Sequence, residues 1–288
     1  HYSTPPKKYI ENQIYDIFHG IKKYKEKSKL KLFEIYPFLG LNTKNYSLFE
    51  LKNILNNYFS EYTGKYKDFK SNFDNFYKNF NGDISTIKSN FFAGIKFYPP
   101  LGFNPFPERG DDNWIEEREK TFYIYKYCVE KNIPVTTHCA DEGFTGSKNY
   151  KEYSSPLKWK KVLDYVEGDV KIFKNLKVNL AHFGFQGNIM PVSEKWDKII
   201  LDMIVSYKNI YSDFSFYADY KDYYKYLVDL IDDYVNKYKL QKEESLQKIK
   251  KRLMFGSDFS VNLINIDSYS DFIDIFSKTD KLHSEEKN

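Results

Sequence analysis

Cysteine is scarce: the chain has two, Cys128 and Cys139, in 288 residues, and they lack the spacing of a metal motif or a disulfide framework. A chain this long buries a large apolar core without covalent staples, so a small secreted disulfide scaffold is excluded. Two unpaired thiols suit a reducing compartment, with the cytoplasm as the default. Long apolar runs are missing as well, and nothing approaches the ~18 residues needed to cross a bilayer. Excess charge is also absent. The 44 Lys plus Arg and 40 Asp plus Glu leave +4, spread along the chain, which predicts neither nucleic acid nor an anionic membrane as partner. No Gly-x-Ser-x-Gly elbow, Walker loop or Gly-x-Gly-x-x-Gly turn is present.

What is present is alternation. Apolar residues recur at helical spacing in Ile10, Ile14, Ile17, Phe18 and Ile21; in Leu48, Leu51, Leu55 and Tyr58; in Trp196, Ile199, Ile200, Met203, Ile204 and Tyr207; and in Tyr224, Leu227, Ile231, Tyr234, Val235 and Tyr238. Between them lie short apolar runs typical of strands buried on both faces: Ile35 to Leu41, Ala93 to Tyr98, Pro134 to Thr137, Lys177 to Ala181, Ile210 to Phe214 and Leu253 to Phe255. Without a hairpin signal, these units predict a parallel sheet, either closed as a barrel or open and doubly wound. The stretch at about 61–85 interrupts the rhythm and reads as an inserted helical segment. Its Phe69, Phe73, Phe76, Tyr77 and Phe80 share one helical face. Core or lid packing therefore explains them better than stacking on nucleic-acid bases.

Chemistry concentrates after the strands. Lys96, His138, His182 and Asp258 each sit at the C-terminal end of a predicted strand, and in a parallel barrel all such ends open on one face. Taken singly, each has an ordinary role in packing, capping or solvation; their recurrence at one place in each unit predicts a shared site. Imidazole and carboxylate ligands suit zinc or another first-row divalent ion. Asp258 would bind the metal and take a proton from water, and His182 would orient or polarise a substrate carbonyl. Lys96 repels a metal unless carbon dioxide converts it to a carbamate; the favoured alternative is that it holds a substrate anion. Cys139, beside His138, points to the opposite face of its strand and reads as a buried, inert thiol. Cys128 reads as helix core. The loops from Asp141 to Gly143 and from Phe183 to Asn188 are expected to rim the mouth. Phe97, Tyr98, Phe103 and Phe106 either line a pocket or pack the proline-rich loop.

In order, Gly94-Ile95-Lys96-Phe97-Tyr98-Pro99-Pro100, Val135-Thr136-Thr137-His138, Leu180-Ala181-His182-Phe183-Gly184 and Phe255-Gly256-Ser257-Asp258-Phe259 resemble the amidohydrolase superfamily, specifically its amidohydrolase-related branch of metal-dependent hydrolases. Tyr36-Pro37-Phe38-Leu39-Gly40 and Tyr211-Ser212-Asp213-Phe214-Ser215 are similar to its third and seventh strands, and the likeness runs from about Ile35 to Phe276. The resemblance implies a (β/α)8 TIM barrel, an α/β fold, over residues 1–288 as a single domain. It places the fourth-strand lysine on Lys96, the metal-binding histidines on His138 and His182, and the eighth-strand aspartate on Asp258. It also implies a divalent metal cofactor, zinc foremost, and a small-molecule substrate such as an amide, lactone or ester. A metal-dependent decarboxylase and a catalytically inactive binding module are the alternatives, and pairing into a homo-oligomer stays open. Such proteins carry a His-x-His pair on the first strand. None occurs here, so the first two strands are expected upstream of His1. The closing Ser284-Glu285-Glu286-Lys287-Asn288 reads as a helix start without its helix. The barrel is therefore expected to be incomplete at the N-terminus and clipped at the C-terminus, with room for a signal peptide upstream.

Overall fold

Short strands with nearly every side chain turned from water set the frame. The structure, a computed structural model, describes residues 10–27, 34–79, 87, 89–187, 195–216, 222–237, 241–259, 261–282 and 287. The chain divides into two compact units, His1–Thr136 with Phe144–Tyr153, and Thr137–Gly143 with Ser154–Asn288. The readings that rest on His1, Phe80, residues 80–85, Asn188, Tyr238 and the 284–286 tail fall outside the described residues.

In the first unit, α1 (Ile10–Lys27) buries Ile10, Ile14, Phe18 and Ile21, one per turn. Strand β1 (Phe38–Leu41) leads to α2 (Leu48–Phe59), which starts with a capping box. Ser47 Oγ accepts from Glu50 N at 3.2 Å, and the Glu50 carboxylate accepts from Ser47 N at 2.7 Å. Helix α3 (Tyr66–Asn79) lies in the segment expected as an insertion. Its Phe69, Phe73 and Phe76 are buried; Phe76 meets Phe18 edge-on at 4.5 Å and Phe73 stacks on Phe91, so this aromatic face is core. A cavity of about 350 Å³ beside α1 and α3 is lined by Tyr24, Tyr36, Phe73 and Tyr77 among others, and its Lys25 and Lys70 are ion-paired with Asp74 and Glu34.

Strand β2 (Gly94–Phe97) pairs in parallel with β1, Gly94 opposite Phe38 and Lys96 opposite Gly40. Phe97 and Phe103 stack at 4.0 Å with both rings buried, which decides for a packed loop over a pocket at these two positions. Helix α4 (Trp114–Lys131) buries an ion pair: Lys120 Nζ lies 2.5 Å from the Glu117 carboxylate and donates to the carbonyls of Thr43 and Tyr46, while the Thr43 hydroxyl donates to Glu117. Cys128 lies on the core face of α4, fully buried. Strand β3 (Val135–His138) begins in this unit beside β2, where Ile95 N donates to Pro134 O at 3.0 Å.

In the second unit, α5 (Pro156–Asp164) is followed by β4 (Val166–Glu167) and β5 (Val170–Lys171), an antiparallel hairpin. The expectation of no hairpin is corrected here. Gly168-Asp169 is a two-residue turn, and strands of two residues are too short to show periodicity. Strand β6 (Val178–Ala181), α6 (Trp196–Ser206), β7 (Ile210–Asp213), α7 (Tyr223–Lys237), α8 (Lys242–Arg252), β8 (Leu253–Met254) and α9 (Tyr269–Lys278) complete the order. The end of β3, β6, β7 and β8 are neighbours in that order, with β6, β7 and β8 mutually parallel. Helix α6 packs Ile200, Leu201, Met203 and Ile204 inward. The Arg252 guanidinium ties the end of α8 to the end of α6 through the carbonyls of Ile204 and Tyr207, 2.6 Å each. Parallel strands separated by helices make the chain α/β. Among the described residues no helix is long and apolar enough to cross a membrane.

Candidate active site at the strand ends

Where parallel strands stop, the backbone no longer pairs with a neighbour, and the residues there are presented at one edge. In the second unit β3 ends on His138, β6 delivers His182 directly after Ala181, β7 ends on Asp213, and Asp258 follows β8. The rings of His138 and His182, both buried, meet edge to face with centroids 4.7 Å apart. His138 Nε2 donates to the carbonyl of Glu142 at 2.8 Å, since a carbonyl oxygen only accepts. The loops after β3 and β6 are joined as well: Asp141 N donates to Phe185 O at 3.0 Å, and Gly187 N donates to the Asp141 carboxylate at 2.8 Å.

His182 opens a tight left-handed turn. His182, Phe183 and Gly184 take φ values of 70°, 48° and 67°. Such a conformation costs about 1–3 kcal/mol at each non-glycine position, so it persists only where surrounding contacts impose it. Here the contacts are the buried ring of Phe183 and a hydrogen bond from His182 N to Asp213 Oδ1 at 3.2 Å. A Cβ at Gly184 would come within 2.8 Å of the Trp196 backbone, so the turn packs directly on the start of α6.

Asp213 is the hub. Its Oδ1 accepts from the backbone N–H groups of His182 and Ser215, 3.2 Å each, and from the Ser215 hydroxyl, while Oδ2 accepts from Asn179 Nδ2 at 2.7 Å. Ser215 Oγ in turn lies 2.9 Å from His182 Nδ1. The chain beyond β8 crosses so close that a Cβ at Gly256 would stand 2.8 Å from Ser215 Cβ and 3.1 Å from Asp213 Oδ1. Cys139 is fully buried, and burial, helped by the negative charge of Asp213, pushes its thiol far above the usual range. It is an inert thiol, as its strand position predicts.

Of the four residues expected from the sequence, His138 and His182 stand in contact. Asp258 has φ 51° and an exposed side chain, and its carbonyl accepts from Val261 N at 3.0 Å. Lys96 lies half-buried on β2 in the first unit. Among the described residues no three His, Cys, Asp or Glu side chains stand together to hold a metal ion. Asp213, Ser215, Asn179 and Gly256 were not predicted as site residues. One sequence signal marks the hub: Asp213 closes its strand just as His138 does. Nothing in the sequence ties Ser215 to a histidine thirty-three positions away.

No curated protein and no solved structure matches the chain significantly. The family model described as Amidohydrolase matches residues 83–286, well over half of the chain and all four of the strand-end residues named above. Strand β1, which carries the Tyr36 to Gly40 likeness, precedes the matched span yet pairs in parallel with β2 inside it. The matched family is one of metal-dependent hydrolases and decarboxylases built on the (β/α)8 TIM barrel, and this chain, α/β in its own strand pairing, belongs to the amidohydrolase family.

Proposed function

We propose that this protein is a metal-dependent hydrolase acting on a small carbonyl substrate, an amide, lactone or ester. The observation that carries the reading is the contact between the His138 and His182 imidazoles at the ends of neighbouring strands. Each ring has one nitrogen engaged by a protein oxygen. That is the pattern of ligating histidines, whose second nitrogen donates to a carbonyl or hydroxyl and so fixes the ring. Two imidazoles in contact, with Asp258 as a third donor by its place in the family order, are the donor types that suit a first-row divalent ion, zinc foremost. When bound, such an ion supplies Lewis acidity toward water and the substrate carbonyl.

The chain's own residues do the rest. His138 and His182 would hold the ion; Asp258, by its place in the family order, would bind beside them and carry a proton from water to the leaving group, and His182 would orient the carbonyl. Lys96, by its place in the family order, holds an anionic group of the substrate. The buried surroundings of the two histidines strengthen every charge interaction there relative to water.

Elemental analysis of the purified chain is the test. Bound zinc or a related ion, lost in His138→Ala and reduced in Asp258→Asn, is the expected result, together with turnover of lactones or amides. Carbon dioxide release from a carboxylate panel without hydrolysis would move the assignment to a decarboxylase. A chain that takes up no added zinc, manganese or cobalt ends the metal reading and leaves a binding module. Lys96→Ala is expected to raise KM for anionic substrates with metal content unchanged.

A further inference from the structure

The direction of the hydrogen bonds around Asp213 fixes where His182 keeps its proton. Four donors converge on the Asp213 carboxylate: the N–H groups of His182 and Ser215, Asn179 Nδ2 and the Ser215 hydroxyl. A carboxylate only accepts, so the single hydroxyl proton of Ser215 is committed to Asp213. Toward His182, Ser215 Oγ is then an acceptor, and the ring nitrogen 2.9 Å from it, Nδ1, must carry the hydrogen. The Ser215 carbonyl, 3.4 Å from the same Nδ1, also only accepts, but at that distance it is a weaker partner for the proton than Oγ.

We propose that Ser215 and Asp213 are positioning residues for His182: a relay that locks its imidazole as the Nδ1–H tautomer and keeps the lone pair on Nε2. The relay is built into the fold. Asp213 closes β7, Ser215 follows two residues on, both are buried, and Gly256 passes close beside them. The left-handed turn at His182 is part of the same device, because it aims the His182 N–H at Asp213 while the ring reaches Ser215. The use of the lone pair, to bind a metal ion, rests on the hydrolase reading above; the tautomer does not.

The experiment is a long-range ¹H–¹⁵N correlation spectrum of the full chain stripped of metal by a chelator. The chain has five histidines, and His182→Gln assigns the signal. Wild-type His182 is expected in the Nδ1–H pattern, Ser215→Ala in the Nε2–H or an averaged pattern, and Ser215→Thr, which keeps the hydroxyl, in the wild-type pattern. An Nε2–H pattern in the wild type overturns the proposal whatever the variants do, so a variant that fails to fold cannot shelter it. Zinc titration separates the two ideas. Ser215→Ala is expected to weaken zinc binding about 10–100-fold. The expected tautomers in a protein that binds no zinc uphold the relay and end the metal reading. Unchanged zinc affinity with an unchanged His182 pattern in Ser215→Ala ends the relay and leaves the metal reading standing.

Discussion

Replacing Gly256 by alanine asks which side of the candidate site is rigid. Carbon atoms in contact sit about 3.5–4.0 Å apart, while the new Cβ would lie 2.8 Å from Ser215 Cβ and 3.1 Å from Asp213 Oδ1, so one side must retreat by about 1 Å. Asp213 and Ser215 are buried and cross-linked by hydrogen bonds to Asn179 and His182. On the other side β8 is two residues long, and Phe255, Asp258 and Phe259 after it are exposed. The segment after β8 should yield. Overpacking costs about 1–3 kcal/mol, and a retreat into solvent puts this case near the lower end, about 1 kcal/mol. Urea unfolding measures that loss, and the His182 ¹⁵N pattern should stay as in the wild type. Because Asp258 rides on the displaced segment, zinc affinity should fall by about tenfold or more, the scale on which outer contacts tune metal sites. A loss above about 3 kcal/mol, or a changed His182 tautomer, would refute the reasoning by showing that the buried side gave way.

Lys120→Met leaves the Glu117 carboxylate buried with its cation gone; breaking such a pair costs about 3–5 kcal/mol in urea unfolding, and adding Glu117→Leu should recover much of it. A single variant within 1 kcal/mol of wild type would show the pair to be solvated. Asp164 titrates low: burial alone would raise its carboxyl, but hydrogen bonds from Lys171, Lys160 and Tyr207 hold it at about 2. Its folded value lies below the unfolded one of about 3.9, so it contributes stability above pH ~4 that is lost as pH falls toward 2. Asp164→Asn should therefore show a shallower acid limb between those values, and an identical slope in the two proteins counts against the assignment. Both thiols are buried and, from burial, far above their usual range; a thiol reagent should label neither in the native chain and both after denaturation, and fast labelling of Cys139 would contradict its burial.

The helices were legible because their apolar residues repeat with the helical period. Of the face predicted from Trp196, Ile199, Ile200, Met203, Ile204 and Tyr207, α6 buries Ile200, Met203 and Ile204, while Trp196, Ile199 and Tyr207 are half-buried at its margin. Strand positions followed from apolar runs, but their ends did not. The run from Ile35 shortens to Phe38–Leu41 because Pro37 has no N–H to donate, and only its carbonyl joins the ladder, accepting from Ala93 N at 2.8 Å. The Val166 to Lys171 hairpin escaped because each strand has two residues and its side chains are exposed, which leaves no alternation to read. In the candidate site, strand-end position pointed to His138 and His182, and the structure brings these two rings into contact. The Asp213 and Ser215 partnership depends on β7 lying next to β6, a neighbour relation that appears only once the sheet is assembled.

The turn at His182, Phe183 and Gly184 also limits how this part of the chain can diverge. A β-branched residue at 183 would resist the left-handed backbone, and adding or removing one residue before Gly184 would rotate the imidazole off Ser215. The constraint does not stop at Gly184: Gln186 Oε1 accepts from Trp196 N at 2.9 Å and Gly187 N donates to the Asp141 carboxylate at 2.8 Å, so the loop that follows is tied at both ends to elements that hold His182 in its bearing.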